Sequence, residues 1–201
     1  MRLFSLIVLC VCSRIAISQI YYSNGDLKST GEIVEGLKVG TWQHFYPNGD
    51  LSASLHYEKG MLSGVQKYYS PEGKLIAHEN WKNDLQLDFS WYYFPTGLLE
   101  KKGNFLDGLY DGQWFFYFES GQVKRKGYYE YGLPVGSWVF YFENGKVNQR
   151  GAFSEGKETG LWKYYDENGS QSYEGEWSEG REIGQWYYFR NGKKKKWKNF
   201  D

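Results

Sequence analysis

Seven glycines recur at a fixed interval of 24 residues, at Gly25, Gly49, Gly73, Gly97, Gly121, Gly145 and Gly169, and Gly192 follows one residue early. A chain built from one short unit copied end to end folds by stacking its copies, so this period constrains the architecture more than any single motif. Further columns run in the same register. Gly40, Gly64, Asp88, Gly112, Gly136, Gly160 and Gly184 form one, and Gly36, Gly60, Asp84, Gly108, Gly132, Gly156 and Gly180 precede it by four residues. Two residues after the first of these come Trp42, Gln66, Ser90, Trp114, Trp138, Trp162 and Trp186. Aromatic or branched residues hold another column, at Ile33, Tyr57, Trp81, Phe105, Tyr129, Phe153 and Trp177. Aligned columns over seven copies establish the repeat.

Each unit carries two aromatic-rich runs separated by turn residues. The first run, such as Trp138 to Phe142, ends at a tip that is often Asn-Gly, as at Asn24-Gly25, Asn48-Gly49, Asn144-Gly145, Asn168-Gly169 and Asn191-Gly192. Asn-Gly favours the positive φ values of a type I′ turn, which matches the twist of paired antiparallel strands. The second run, such as Val123 to Tyr129, leads to a glycine-bracketed turn such as Gly132 to Gly136. One unit therefore reads as one β-hairpin, and successive hairpins continue one antiparallel meander. The fold class expected is all-β: an elongated single sheet of about seven 24-residue hairpin repeats. About fifteen strands at the usual ~4.8 Å spacing would extend roughly 70 Å.

In the second run Leu51, Ala53, Leu55 and Tyr57 alternate with Ser52, Ser54 and His56, which separates an inward from an outward set. The recurrent glycine at Gly31, Gly103, Gly127, Gly151 and Gly175 leaves room for a large ring across the sheet. The first run carries rings on both faces: Trp114, Phe116 and Phe118 on one, Phe115 and Tyr117 on the other. One set is expected to be core, and the other needs a cover, a partner or a ligand.

Residues 1–18 read as a secretory signal peptide. Arg2 supplies the basic start, Leu3 to Cys12 the apolar stretch, and Ala16-Ile17-Ser18 the small-residue cleavage site. Its apolar stretch is short for spanning a bilayer. Residues 19–201 show no composition shift and read as one repeat domain, exported to the periplasm, the outer envelope or the medium. Both cysteines lie in the leader, so the mature chain would hold no disulfide, thiol nucleophile or cysteine-based zinc site. The leader also removes two arginines and no acid, which leaves a net charge of −2 and argues against nucleic acid as a partner. No transmembrane segment is expected in the mature chain.

No catalytic constellation emerges. His44, His56 and His78 fall in different phases of the repeat, and no phosphate-binding loop, zinc helix or nucleophile elbow is present. Glu174 and Glu176 share a strand face, as charges on any exposed sheet do. No cofactor and no metal are expected. Two features mark a candidate binding surface. Lys102, Lys126 and Arg150 hold one phase in successive repeats, flanked by Lys101, Lys124 and Arg125, and would form a positive ladder if the hairpins stack. The column Phe45, Tyr69, Tyr93, Tyr117, Tyr141, Tyr165 and Phe189 would supply rings for a partner or for sugar faces. Lys193 to Lys196 read as protection of a terminal strand edge.

The unit that contains Gly160, Trp162, Tyr164, Tyr165, Asn168 and Gly169 resembles the MORN repeat, and more specifically the longer bacterial variant known as YwqK-type antitoxin repeats. The resemblance covers Tyr21 to Asp201 and implies an extended twisted sheet of hairpins used for interaction. A weaker similarity links Trp186 to Gly192 with the aromatic hairpins of choline- and glucan-binding repeats, whose units are shorter. The expected function is a non-enzymatic, exported repeat scaffold that binds a protein or a cell-envelope component. The alternatives are a carbohydrate-binding module of the cell wall and an antitoxin or immunity-type protein.

Overall fold

The computed structural model describes residues 15–201. The leader assigned to residues 1–18 thus lies largely outside the described residues. Its last four residues belong to the first strand, where Ile15 to Ser18 pair with Val34 to Gly31.

Among the described residues every regular element is a strand: β1 (Ile15–Tyr21), β2 (Leu27–Val34), β3 (Leu37–Phe45), β4 (Leu51–Glu58), β5 (Met61–Leu62), β6 (Gly64–Tyr69), β7 (Leu75–Lys82), β8 (Leu85–Tyr93), β9 (Leu99–Leu106), β10 (Leu109–Tyr117), β11 (Val123–Glu130), β12 (Leu133–Tyr141), β13 (Val147–Ser154), β14 (Lys157–Tyr165), β15 (Gln171–Ser178), β16 (Arg181–Arg190) and β17 (Lys193–Phe200). Each pairs antiparallel with its neighbours in sequence, β5 and β6 together serving as one interrupted partner of β4. The result is the single-sheet meander that the period implies.

The two turns of each unit differ from the turns read in the sequence. Type I′ geometry needs positive φ at both central residues. It occurs at the Gly36 column, for example Glu35-Gly36 (φ 51° and 81°) and Tyr131-Gly132 (φ 48° and 80°). At the Asn-Gly tips only the glycine is left-handed. Gly49 (φ 90°) donates its N–H to the Tyr46 carbonyl at 2.9 Å, which leaves Pro47 and Asn48 at the centre of the turn. Asn48 contributes its side chain instead, accepting the Asp50 N–H at 3.1 Å. Asn191-Gly192 is the exception. Both residues have positive φ (50° and 71°), and Arg190 pairs directly with Lys193. One residue fewer converts the longer loop into the two-residue turn, which accounts for the glycine that falls out of period.

The expected turn from Gly132 to Gly136 is likewise corrected. Gly132 closes the turn, while Gly136 (φ 62°) lies inside β12. There the register shifts: Lys126 pairs with Val139 and Tyr128 with Val135, so Gly127 alone faces Gly136, Ser137 and Trp138. This bulge swings the indole back across the glycine of the preceding strand. A Cβ on Gly127 would stand 2.1 Å from the Trp138 ring, and the pairs Gly31/Trp42, Gly103/Trp114, Gly151/Trp162 and Gly175/Trp186 repeat that contact. The Trp138 Nε1–H donates to the Tyr128 carbonyl at 3.2 Å, as Trp42, Trp114 and Trp162 donate to Glu32, Asn104 and Ala152.

These indoles are the core. Trp42, Trp114, Trp138, Trp162 and Trp186 are all buried, although one sheet has no second layer to cover them. Each lies against backbone and is walled by rings of the Tyr57 column. Tyr129 meets Trp138 edge-on at 5.1 Å and Phe153 meets Trp162 at 5.2 Å, while the same Tyr129 reaches back to Trp114 at 6.3 Å. Such edge-to-face pairs add about 0.5–1.5 kcal/mol beyond burial. The core is therefore a chain of alternating rings that runs along the repeat axis.

Candidate functional site

Alternation divides the sheet into a ring face, which carries the tryptophans, and an opposite face. The first run places Trp114 and Phe116 together on the ring face, with centroids 5.9 Å apart. Phe115 points the other way, between Lys102 of β9 and Lys126 of β11. From there the pairing continues with Lys126 beside Val139, Val139 beside Arg150 and Arg150 beside Lys163. Lys102, Lys126 and Arg150 are thus brought into one row across the sheet, as their common phase implies, and Lys163 extends it.

Of the flanking cations, Lys101 and Arg125 do not join that row, and Lys124, at the start of β11, lies 5.5 Å from the Phe118 ring centre. Lys101 pairs with Tyr92 and Phe116, and Arg125 with Phe116 and Phe140, which puts both on the ring face. Lys101 Nζ stands 4.4 Å from the Tyr92 ring centre and donates to the Tyr110 hydroxyl at 2.8 Å, and the Arg125 guanidinium lies 4.2 Å from the Phe116 ring centre. Neighbours in sequence serve opposite faces, because a strand alternates. The expected ladder is narrower than the run of basic residues suggests.

The column Phe45, Tyr69, Tyr93, Tyr117, Tyr141, Tyr165 and Phe189 is half-buried throughout. It adjoins the cation row: Lys126 Nζ lies 5.8 Å from the Tyr141 ring centre, and Arg150 is 5.7 Å from that of Tyr165. Beyond Lys163 the row meets Glu174 and continues through Tyr187 to Lys196. Glu174 is buried and takes an ion pair from Lys194. Burial raises its carboxyl pKa, but hydrogen bonds from Lys194 and Gln171 outweigh that and leave it lowered. That role was not legible in the Glu174 and Glu176 pair. Lys193 to Lys196 lie on β17, the terminal strand, where the edge-protection reading places them.

His56 and His78 line one groove of about 550 Å³ with Lys67 on the cation side, while His44 lies on the ring face beside Ala53. Burial, with Lys38 and Lys28 nearby, lowers the His44 pKa. Among the described residues no group of histidine, aspartate and glutamate is placed to hold a metal ion. No described helix is long and apolar enough to cross a membrane.

The sequence reading missed a polar inclusion in the ring face. Where Gln66 and Ser90 replace tryptophan, Leu55 and Glu79 replace the partner glycine. Gln66 restores the lost backbone bonds, accepting the His56 N–H at 2.7 Å and donating to the His56 carbonyl at 3.1 Å. Around Ser90, Gln86 donates to the Tyr92 hydroxyl at 2.7 Å and Trp81 Nε1 to the Glu79 carboxylate at 2.8 Å. The paired loss of glycine and tryptophan in the same two copies was the available signal.

A one-layer sheet of hairpins with a ring core on one face and a cation row on the other defines a repeat scaffold. Five segments, 38–59, 62–83, 110–131, 134–154 and 158–178, match the model of the MORN repeat variant and together span just over half the chain. The chain belongs to that family, whose members are generally non-enzymatic scaffolds for protein or membrane-type interactions. The unmatched stretch 84–109 holds Asp84, Asp88 and Ser90, which depart from the glycine and tryptophan columns, whereas Gln66, the other departure from tryptophan, lies in a matched segment. No curated relative matches. Among solved structures, a porin-like protein from Bacteroides uniformis aligns over 91% of this chain and 93% of its own at 9% identity, with a TM-score of 0.23 that carries no argument.

Proposed function

We propose that the chain is a non-enzymatic, exported repeat scaffold that binds an acidic protein or cell-envelope component through the cation face. The observation that carries this reading is the row Lys102, Phe115, Lys126, Val139, Arg150 and Lys163, set side by side on six successive strands by the register. The first three cations stand two strands apart, roughly 9.6 Å. That is near the screening length at physiological salt, so they repel one another weakly yet sum toward an acidic partner. The half-buried tyrosines beside them add apolar contact with little entropy to lose. Export rests on the leader, and N-terminal sequencing of the mature chain should begin at Gln19.

The test is retention of components from the native envelope fraction on immobilised mature chain. The expected result is retention that falls steeply as salt is raised. Retention unaffected by salt, no retention, or a substrate turned over by the purified chain would count against the proposal. The continuous half-buried column from Phe45 to Phe189 supports a second reading, a carbohydrate-binding face. A glycan array without hits removes that one.

A further inference from the structure

On the ring face, Tyr68 of β6, Ala77 of β7 and Tyr92 of β8 sit in one cross-strand row. The row continues through Lys101, Phe116, Arg125 and Phe140. In the next two copies a cation of the chain itself fills the slot between successive rings, and in the two after them Gln149 and Tyr173 fill it. Lys101 lies between Tyr92 and Phe116, and Arg125 lies between Phe116 and Phe140. Between Tyr68 and Tyr92 the slot holds only the methyl group of Ala77, which opens a groove of about 590 Å³ lined also by Glu79, Trp81 and Glu100.

Glu79 lies two residues from Ala77 and therefore on the same face. It is 9% exposed, accepts a hydrogen bond from the Trp81 indole and stands beside the Tyr92 hydroxyl, and no cation among the described residues makes an ion pair with it. A buried carboxylate is normally matched by a positive group. Its charge also helps to push the Tyr68 hydroxyl up to about 12, after burial itself. Tyrosine and tryptophan faces attract cations most strongly where water is excluded.

We infer that the groove between Tyr68 and Tyr92 binds an organic cation, an alkylammonium or guanidinium group, whose charge meets Glu79 while Tyr68, Trp81 and Tyr92 wall it. The occupant takes the place that Lys101 and Arg125 hold in the next two repeats. This inference concerns the opposite face from the cation row and stands apart from the proposed acidic partner. Two sources share this chemistry: a lysine or arginine side chain of a protein, and a free quaternary ammonium.

The test is titration of the ¹⁵N-labelled full chain with butylammonium, butylguanidinium, tetramethylammonium and the neutral control butanol, read at the Trp81 indole N–H. The expected result is a saturable shift with the cations and none with butanol. Glu79→Gln should weaken binding on the order of tenfold or more, since a charge-assisted contact is lost. Ala77→Lys should abolish it by filling the slot from within, and Lys101 shows that the fold accepts lysine there. A preference for butylammonium or butylguanidinium points to a protein side chain, and one for tetramethylammonium to a quaternary ammonium. No saturation with any cation, equal binding of butanol, or unchanged affinity in a folded Glu79→Gln chain would overturn the inference.

Discussion

Gly127 and Trp138 illustrate how single residues set this fold. A methyl group on Gly127 would meet the indole at 2.1 Å, and the ring is hemmed in by Tyr129 and Phe140. Gly127→Ala should therefore cost about 1–3 kcal/mol, as overpacking usually does, measured by urea unfolding. Trp138→Gln alone should also destabilise. Gly127→Leu combined with Trp138→Gln copies the Leu55/Gln66 pair, so the double variant should be more stable than the sum of the two changes, and simple additivity would contradict the pairing. His44 gives a pH signature. Its folded pKa lies below the ordinary 6.5, so the unfolded chain binds the proton first and stability falls as pH drops through about 6.5. His44→Phe, the residue found at Phe116 and Phe140, should flatten that slope in melting scans from pH 7.5 to 5.5. The glycine that makes room for a ring was legible in the sequence because it recurs with tryptophan. Glu79 was not, since a lone glutamate in an alternating strand reads like any exposed charge until the fold buries it.

Turns show where element-scale reading succeeded and where it slipped. Asn-Gly marks a hairpin tip, and every such tip is one, yet four of the five depend on the asparagine side chain or a glycine-only left-handed residue rather than a type I′ pair. The type I′ turns fall instead at Glu-Gly, Lys-Gly, Asp-Gly and Tyr-Gly pairs, and in one copy at Asn83-Asp84. There two-residue connection length selects the turn, and the first residue tolerates a strain that composition alone does not reveal. Tyr131 is such a residue, with φ 48° and a side chain 73% exposed. Tyr131→Asn should stabilise the hairpin by less than about 1 kcal/mol in thermal unfolding, since asparagine enters the left-handed region more readily. The Gly40 column was read as a turn because glycine marks both devices. Only the register shows that it is a bulge which aims the next tryptophan.

At the scale of the molecule, contacts run between neighbouring strands, so stability should scale with the number of units. Removal of Leu133 to Gly156 takes out β12 and β13 and joins Gly132 to Lys157, which resumes the strand pattern in phase. The shortened chain should stay folded, with a urea m-value reduced roughly in proportion to its length. An unfolded product would show that the sheet is not a modular array. Single-layer growth also places Lys102, Lys126 and Arg150 on one face while Lys101 and Arg125, their immediate neighbours, lie on the other. The most direct measurement compares two charge-reversed chains, Lys102→Glu/Lys126→Glu/Arg150→Glu and Lys101→Glu/Arg125→Glu, for binding to the acidic component retained from the envelope. The first should lose binding and the second should keep it. Equal losses in both, or retention by the first, would contradict a scaffold that binds through the cation face.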